Sequence, residues 1–245
     1  MKRALILGLG LVSLTILPAA AADIPVKAPV LAPVVAPPFS WTGFYIGVSG
    51  GGAWGRSRHT NSAGDLTPTF NVSGGIIGGT VGYNYQVNNW VLGLEGDWSW
   101  VSKRGSAVDI PPFNTAFTSE TRERWLATGR ARVGMTWNQA LFYITGGGAA
   151  ADVQINVCGP AAVGCASEAK TRWGWTVGAG IEYALSQNWS LKGEYLYVNF
   201  GNTSYFNPPP GVFADRVGGV FLDDHIFRVG VNYRFNWAGP VVARY

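Results

Sequence analysis

Apolar residues alternate with small or polar residues at every second position from Trp41 onward. This period is typical of β-strands, because consecutive side chains on a strand point to opposite faces. Eight segments have this pattern: residues 42–55, 74–86, 90–101, 122–137, 140–157, 171–185, 189–200 and 224–235. The fifth segment is the least clear, since glycines and alanines fill its middle. We assign three positions in its second half to the polar face: Asp152, Gln154 and Asn156.

The connections between the segments alternate in length. Short turns are expected at 87–89, 138–139 and 186–188, and long loops near 57–73, 102–121, 158–170 and 201–222. Short turns at one rim and long loops at the other are characteristic of bacterial outer-membrane barrels, with the short turns facing the periplasm. The pattern therefore predicts an all-β fold, an eight-stranded antiparallel up-and-down transmembrane β-barrel.

In the central spans of these segments the charged residues fall on the polar face, which predicts that this face lines the interior. Arg or Lys facing lipid at mid-bilayer costs about 2–4 kcal/mol. An eight-stranded barrel has an interior that side chains fill. With five acids and seven bases, we expect a packed ionic plug rather than an aqueous pore. The predicted lumen charges are Glu95, Asp97, Arg124, Arg130, Arg132, Asp152, Arg172, Glu182, Lys192, Glu194, Arg228 and Arg234.

Strand register suggests partners within this network. Glu95 and Asp97 should lie at the height of Arg130 and Arg132 on the next strand, and Glu182 and Lys192 face each other across a short turn. A narrow pore for small solutes or ions remains the alternative.

Eleven tryptophans cluster towards the two ends of the segments, which predicts aromatic girdles at both membrane interfaces. A soluble β-sandwich or lipocalin-like barrel is the competing interpretation, in which the aromatic residues would be buried. The predicted short-turn girdle is Trp41, Trp90, Trp137, Trp189 and Trp237, and the long-loop girdle is Trp54, Trp98, Trp100, Trp125, Trp173 and Trp175.

Composition agrees with a membrane barrel. Only 13% of residues are charged, and the chain has 34 glycines. Soluble domains have about 25% charged residues. Removing Lys2 and Arg3 with a leader lowers the net charge from +4 to +2, and no basic cluster indicates nucleic-acid binding.

The chain begins with a predicted secretory signal over residues 1–22. Lys2 and Arg3 precede an apolar stretch that is too short for a membrane anchor, and small residues lead to a cleavage site between Ala22 and Asp23. Residues 23–40 form a proline-rich periplasmic linker in this interpretation. The barrel then covers 41–237, and 238–245 form a C-terminal extension.

Two cysteines, Cys158 and Cys165, are separated by six residues. In an exported chain this spacing favours a disulfide over two free thiols.

Catalytic and metal chemistry have little support. Glu95 and Asp97 share a face about 7 Å apart, as in some glycosidases, but pairing with arginines explains them better. Ser57 and His59 share a parity without an evident carboxylate partner. His225 lies beside Asp223 and Asp224 at a loop end, where a metal site is a minor alternative. We therefore predict no catalytic, cofactor or metal residues.

Several stretches resemble small outer-membrane β-barrel proteins of Gram-negative bacteria, known as porin-family or outer-membrane immunogenic proteins and related to opacity-type barrels. The stretches are Trp41–Gly47, Gly82–Gln86, Leu94–Asp97 and Arg228–Phe235. The resemblance implies an outer-membrane location and surface-exposed loops, without one agreed activity. The chain departs from the usual pattern because residues follow Phe235, the expected terminal aromatic.

We therefore expect a structural and surface-interaction role. The expected partners are outer-membrane lipid, lipopolysaccharide and the barrel-insertion machinery, with no nucleic acid and with an unidentified extracellular ligand.

Overall fold

A computed structural model of the protein describes residues 39–61, 64–206 and 218–235. Regular secondary structure within these ranges is entirely β, and none of it is a helix with the length and hydropathy to span a membrane. The strands are β1 (Gly43–Asn61), β2 (Gly64–Asp65), β3 (Phe70–Val87), β4 (Trp90–Val108), β5 (Thr118–Trp137), β6 (Ala140–Cys158), β7 (Cys165–Ala184), β8 (Trp189–Tyr205) and β9 (Gly218–Arg234).

The long strands form a closed antiparallel ring. Each pairs with its neighbours in chain order, and β1 also pairs with β9. The two-residue strand β2 only pairs with the end of β1, through Thr60 and Asp65. The predicted eight-stranded barrel is therefore confirmed, with one short strand added inside the first long connection.

The strands are longer than a bilayer requires. The eight long strands contain 17 to 20 residues, whereas a tilted transmembrane strand needs about 9–11. Much of what we predicted as long loops is strand, since β1 continues to Asn61, β4 continues to Val108 and β5 begins at Thr118.

Two zones divide the barrel. The membrane band lies between the tryptophans near the short turns, such as Trp90, and those near the long connections, such as Trp100. Its outward side chains are apolar and exposed, for example Val48, Ile77 and Leu94. The crown is the continuation of the strands towards the long connections: residues 55–61, 70–73, 101–108, 118–124, 152–158, 165–172, 200–205 and 218–224.

Polarity reverses in the crown. Its inward positions hold an apolar core, at most 7% exposed, that includes Val101, Val153, Ile155, Val157, Phe200, Val220 and Leu222. Most of its outward positions are polar or small, including Arg56, Arg104, Arg122 and Asp152, with Val108 and Phe221 as apolar exceptions. The apolar side faces lipid in the band and faces inward in the crown, as it does in a water-soluble barrel.

Several predicted segments fall outside the described residues. These are the signal peptide with its Ala22–Asp23 cleavage site, the linker up to residue 38, Trp237 and the extension 238–245. The strands themselves begin at Gly43 and end at Arg234.

Candidate functional site

Four acids and four bases fill the interior of the membrane band. Each has a side chain that is at most 3% exposed, and the group carries no net formal charge. Strands β4, β5, β7, β8 and β9 supply them, because the period of two turns every second residue of each strand inward. The members of this ion network are Glu95, Asp97, Arg130, Arg132, Glu182, Lys192, Glu194 and Arg228.

Arg130 joins three carboxylates at the centre of the network. Its Nη2 is ion-paired with Glu95 and lies 3.0 Å from Asp97 Oδ2, and its Nη1 lies 3.0 Å from Glu194 Oε1. Thr128 donates a further hydrogen bond of 2.5 Å to Asp97. A guanidinium has donors enough for such bridging, so one side chain ties β4 to β8 across the lumen.

Arg228 makes a second bridge from β9. Its Nη1 donates to Asp97 Oδ1 at 2.8 Å, and its Nη2 lies 2.7 Å from Glu194 Oε2. Every carboxylate at this level thus contacts at least two cations, which offsets the cost of burying charge.

A third layer lies nearer the short turns. Arg132 Nη1 is 3.1 Å from Glu182 Oε2, and its Nε donates to Asn84 at 2.9 Å. Its guanidinium also lies 4.7 Å from the ring of Tyr45 and 5.1 Å from that of Tyr143, within the range of cation–π attraction.

The charges pair across the lumen as well as along the wall. Glu182 and Lys192 are directly opposite in register, as predicted. However, Glu182 contacts Arg132, and Lys192 Nζ lies 3.0 Å from Glu95 Oε2. Chain order alone does not reveal such partners, because a closed ring brings β4 and β8 face to face.

The lower mouth is closed by Trp41, and its assignment to the girdle is wrong. The side chain is 1% exposed and packs inside the barrel with Val91, Leu141 and Tyr143. The guanidinium of the inward-facing Arg234 lies 5.0 Å from the Trp41 ring. Trp41 precedes β1, so the parity of a strand does not determine where its ring points.

Two predicted lumen charges, Arg124 and Asp152, are not in the lumen. The Arg124 side chain is 59% exposed on the outer face and pairs with Asp152 at 2.5 Å. A β-bulge between Glu123 and Trp125 places one extra residue in β5 relative to β6, which changes the parity of β5. Asp152 lies in the crown, where the apolar Val153 points inward.

The last predicted lumen residue, Arg172, is buried at the border of the crown. Its Nη2 donates to the backbone carbonyls of Phe200, Gly201 and Val220, the last at 2.8 Å. It therefore secures β7 to β8 and β9 through the main chain.

Sequence reasoning missed a second ionic site in the crown core. Lys103 Nζ lies 2.6 Å from Glu123 Oε2 and is also ion-paired with Asp224, and all three side chains are at most 1% exposed. Lys103 falls in the predicted loop near 102–121, and Glu123 is not among the predicted lumen charges. A lone lysine within a stretch of small polar residues gives no signal for burial.

Eight of the predicted girdle tryptophans have exposed rings on the outer surface, and Trp125 is half-buried there. An indole there buries its ring in lipid while its N–H reaches water. The exposed members are Trp54, Trp90, Trp98, Trp100, Trp137, Trp173, Trp175 and Trp189.

A disulfide joins Cys158 and Cys165, at the end of β6 and the start of β7. It closes the tip of the β6–β7 hairpin, where Gly159 N donates to Gly164 O.

The residues considered for catalysis do not converge. Ser57 and His59 both face the crown interior, and the Thr121 hydroxyl lies between them, 3.0 Å from Ser57 Oγ and 2.9 Å from His59 Nε2. His225 faces outward, with Nδ1 2.6 Å from the Tyr195 hydroxyl, whereas Asp224 faces inward. Among the described residues, no His, Cys, Asp and Glu side chains group in threes that could hold a metal ion.

Burial and the nearby Arg172 lower the pKa of His59 from 6.5 to about 4. In an unfolded crown His59 binds a proton near pH 6.5, and in the folded crown only near pH 4. The contribution of His59 to crown stability should therefore be complete above pH 6.5 and fall between 6.5 and 4, by about 3 kcal/mol at most. Hydrogen exchange of crown amides should show this loss in the wild type and a smaller loss in His59→Gln. Equal pH profiles for the two proteins would contradict it.

Comparison with known proteins gives a consistent result. A family model described as the outer membrane protein beta-barrel domain matches residues 9–235. The 31 kDa outer-membrane immunogenic protein of Brucella melitensis biotype 1 is 37% identical over 89% of this chain and 93% of its own. A 22 kDa outer membrane protein of Rhizobium leguminosarum bv. viciae is 30% identical over 80% and 79%. Among solved structures, Neisserial surface protein A is similar at 15% identity and a TM-score of 0.43, over 79% of this chain and 98% of that one.

Proposed function

Because the chain belongs to the family of outer membrane protein β-barrels, we propose that it is a sealed, non-conducting and non-enzymatic barrel. In this proposal the barrel supports the outer membrane and presents its crown and long connections to the exterior as an interaction surface. Its location is the outer membrane, as for its relatives.

One observation carries the proposal of a seal. The eight members of the ion network span the lumen, and their side chains are between 0% and 3% exposed. A water-filled pore has a polar lumen whose side chains are hydrated, whereas these charged side chains are buried and paired with one another. Trp41 below and the apolar crown core above add two further layers that hydrated ions would have to cross.

The surface role is supported by the crown. Its outward side chains are mostly polar and its strands extend beyond the outer tryptophans, so it is suited to water outside the membrane. We further propose lipid, lipopolysaccharide and the barrel-insertion machinery as partners, with neither a nucleic acid nor a cofactor involved.

Planar bilayer recording of the refolded protein tests the seal. We expect no stable unitary steps from the folded fraction, identified by its altered gel mobility without boiling, while a refolded general porin conducts in the same chamber. Stable steps from this fraction would overturn the proposal and support a narrow pore. A change of ion selectivity in Arg130→Gln would then place that pore within the network.

A further inference from the structure

Three outward arginines lie together where β4 and β5 leave the membrane band. Arg104 and Arg122 are directly opposite in register, and Arg124 lies at the neighbouring bulge, just beyond Trp100 and Trp125. The Arg122 and Arg124 side chains are 46% and 59% exposed. Like charges directly opposite on a sheet destabilise it, so this pairing needs an explanation.

Nearby acids balance the arginines only in part. Glu120 lies 2.8 Å from Arg122, and Asp152 lies 2.5 Å from Arg124. Arg104 forms no salt bridge within 4.0 Å with any acid that the structure describes, although its charge also acts on Glu120. Three positive charges therefore face two negative ones here. The cluster thus retains positive potential at the height where phosphates of the outer leaflet lie.

Directly below the arginines, a stretch of the lipid face of β5 and β6 has no side chain larger than a methyl group. Three register pairs form this trough: Ala127–Ala150, Gly129–Gly148 and Ala131–Gly146. A Cβ added to Gly129 or Gly148 would meet no atom within 4 Å, so packing within the barrel does not explain these glycines.

Tryptophans form the two sides of the trough. Trp98 and Trp100 stand on β4, and Trp173 and Trp175 stand on β7, with exposures between 41% and 79%. The trough extends for about 13 Å along the strands, at about 3.3 Å per residue. Open depressions of about 630 and 540 Å³ continue it on the lipid face, and Ala131 lines both.

We propose that this face binds a phosphorylated glycolipid of the outer leaflet. Its phosphate contacts Arg104 and Arg122, and its acyl chains lie in the trough between the tryptophans. Phosphate and guanidinium form strong bidentate hydrogen bonds, and a shared anion removes the repulsion between opposed arginines. The inference rests on the proposed function, because it requires the crown to face the exterior.

A second copy of the chain fits this surface less well. Two barrels in one membrane with the same orientation would be related by an axis along the membrane normal. Their equivalent troughs could meet only by bringing the two arginine clusters together, which repel each other.

Native mass spectrometry of the refolded mature protein tests the site. Nanodiscs of phosphatidylcholine would contain either a bisphosphorylated, acylated glucosamine disaccharide or the same lipid without phosphates. We expect one phosphorylated lipid per barrel and a roughly tenfold or greater loss of binding in Arg104→Gln/Arg122→Gln. The control Arg56→Gln/Arg58→Gln changes two outward crown arginines that have acid partners, Asp223 and Asp65, and should bind as the wild type does.

Filling the trough gives a second, independent variant. Gly129→Leu/Gly148→Leu should fold, since the added Cβ atoms meet nothing, and should bind the glycolipid several-fold more weakly. Equal binding of the dephosphorylated lipid, or undiminished binding by the arginine variant, would overturn the proposal. Full displacement by millimolar inorganic phosphate would indicate a simple anion site, and a wild-type dimer lost in the glycine variant would identify a second copy as the occupant.

Conductance of the same preparations separates the two proposals. A silent barrel that binds no glycolipid would refute this site alone. A conducting barrel that binds it would refute the seal alone.

Discussion

Replacing Arg228 by methionine should lower the free energy of unfolding by about 3–5 kcal/mol. In the wild type the Arg228 guanidinium contacts two buried carboxylates, and the substitution removes this shared cation from both. Arg228 Nη1 lies 2.8 Å from Asp97 Oδ1, and its Nη2 lies 2.7 Å from Glu194 Oε2. Urea titration of the barrel in phospholipid vesicles, followed by tryptophan fluorescence, measures the change.

Two further variants separate loss of charge balance from loss of volume. Arg56→Met removes an outward arginine whose side chain is 62% exposed beside Asp223, and should cost less than about 1 kcal/mol. Arg228→Met/Asp97→Asn removes one charge of each sign, so the network is neutral again, and should regain much of the stability. A loss below about 1 kcal/mol in Arg228→Met would mean that water reaches the network, which would also weaken the proposed seal.

The faces of the strands were predictable from sequence wherever lipid surrounds the barrel. Lipid penalises an outward charge strongly, so residues such as Glu95, Arg130 and Arg228 had only one permissible side. The partners were less predictable. Alternation gives the face of a side chain, whereas the cross-lumen pair of Lys192 with Glu95 depends on the closure of the ring.

Two of the errors, at Asp152 and Arg124, lie in the crown and have different causes. Asp152 alternates with the apolar Val153 and Ile155, as polar and apolar residues do in the membrane band. In the crown, however, the apolar residues face the interior and the polar residues face outward. The alternation of polar and apolar positions does not show whether lipid or water surrounds a segment. The reversal of polarity between the membrane band and the crown can therefore be recognised only when the length of the strands is known. Arg124 is a different case, since a single bulged residue leaves no mark in the pattern of polar and apolar positions.

Replacing Lys103 by methionine should open the crown while the membrane band stays folded. Lys103 is the cation shared by Glu123 and Asp224 in an apolar core, so its loss leaves two carboxylates close together without compensation. We expect a cost of about 3–5 kcal/mol, which speeds exchange of crown amides through local opening by at least about a hundredfold. Hydrogen exchange resolved to β4, β5 and β9 measures it.

The band should respond little, because its stability comes from lipid-facing apolar surface and from the ion network, neither of which contacts Lys103. Lys170→Met is the matched control, since Lys170 is a crown lysine whose side chain is 34% exposed and pairs with Glu168 at 2.9 Å; it should change exchange less than about tenfold. Lys103→Met/Glu123→Gln/Asp224→Asn should restore most of the protection by removing the stranded charges. If Lys103→Met left crown exchange unchanged, the crown would owe its order to apolar packing alone. Loss of protection in the band as well would mean that the two zones unfold as one unit.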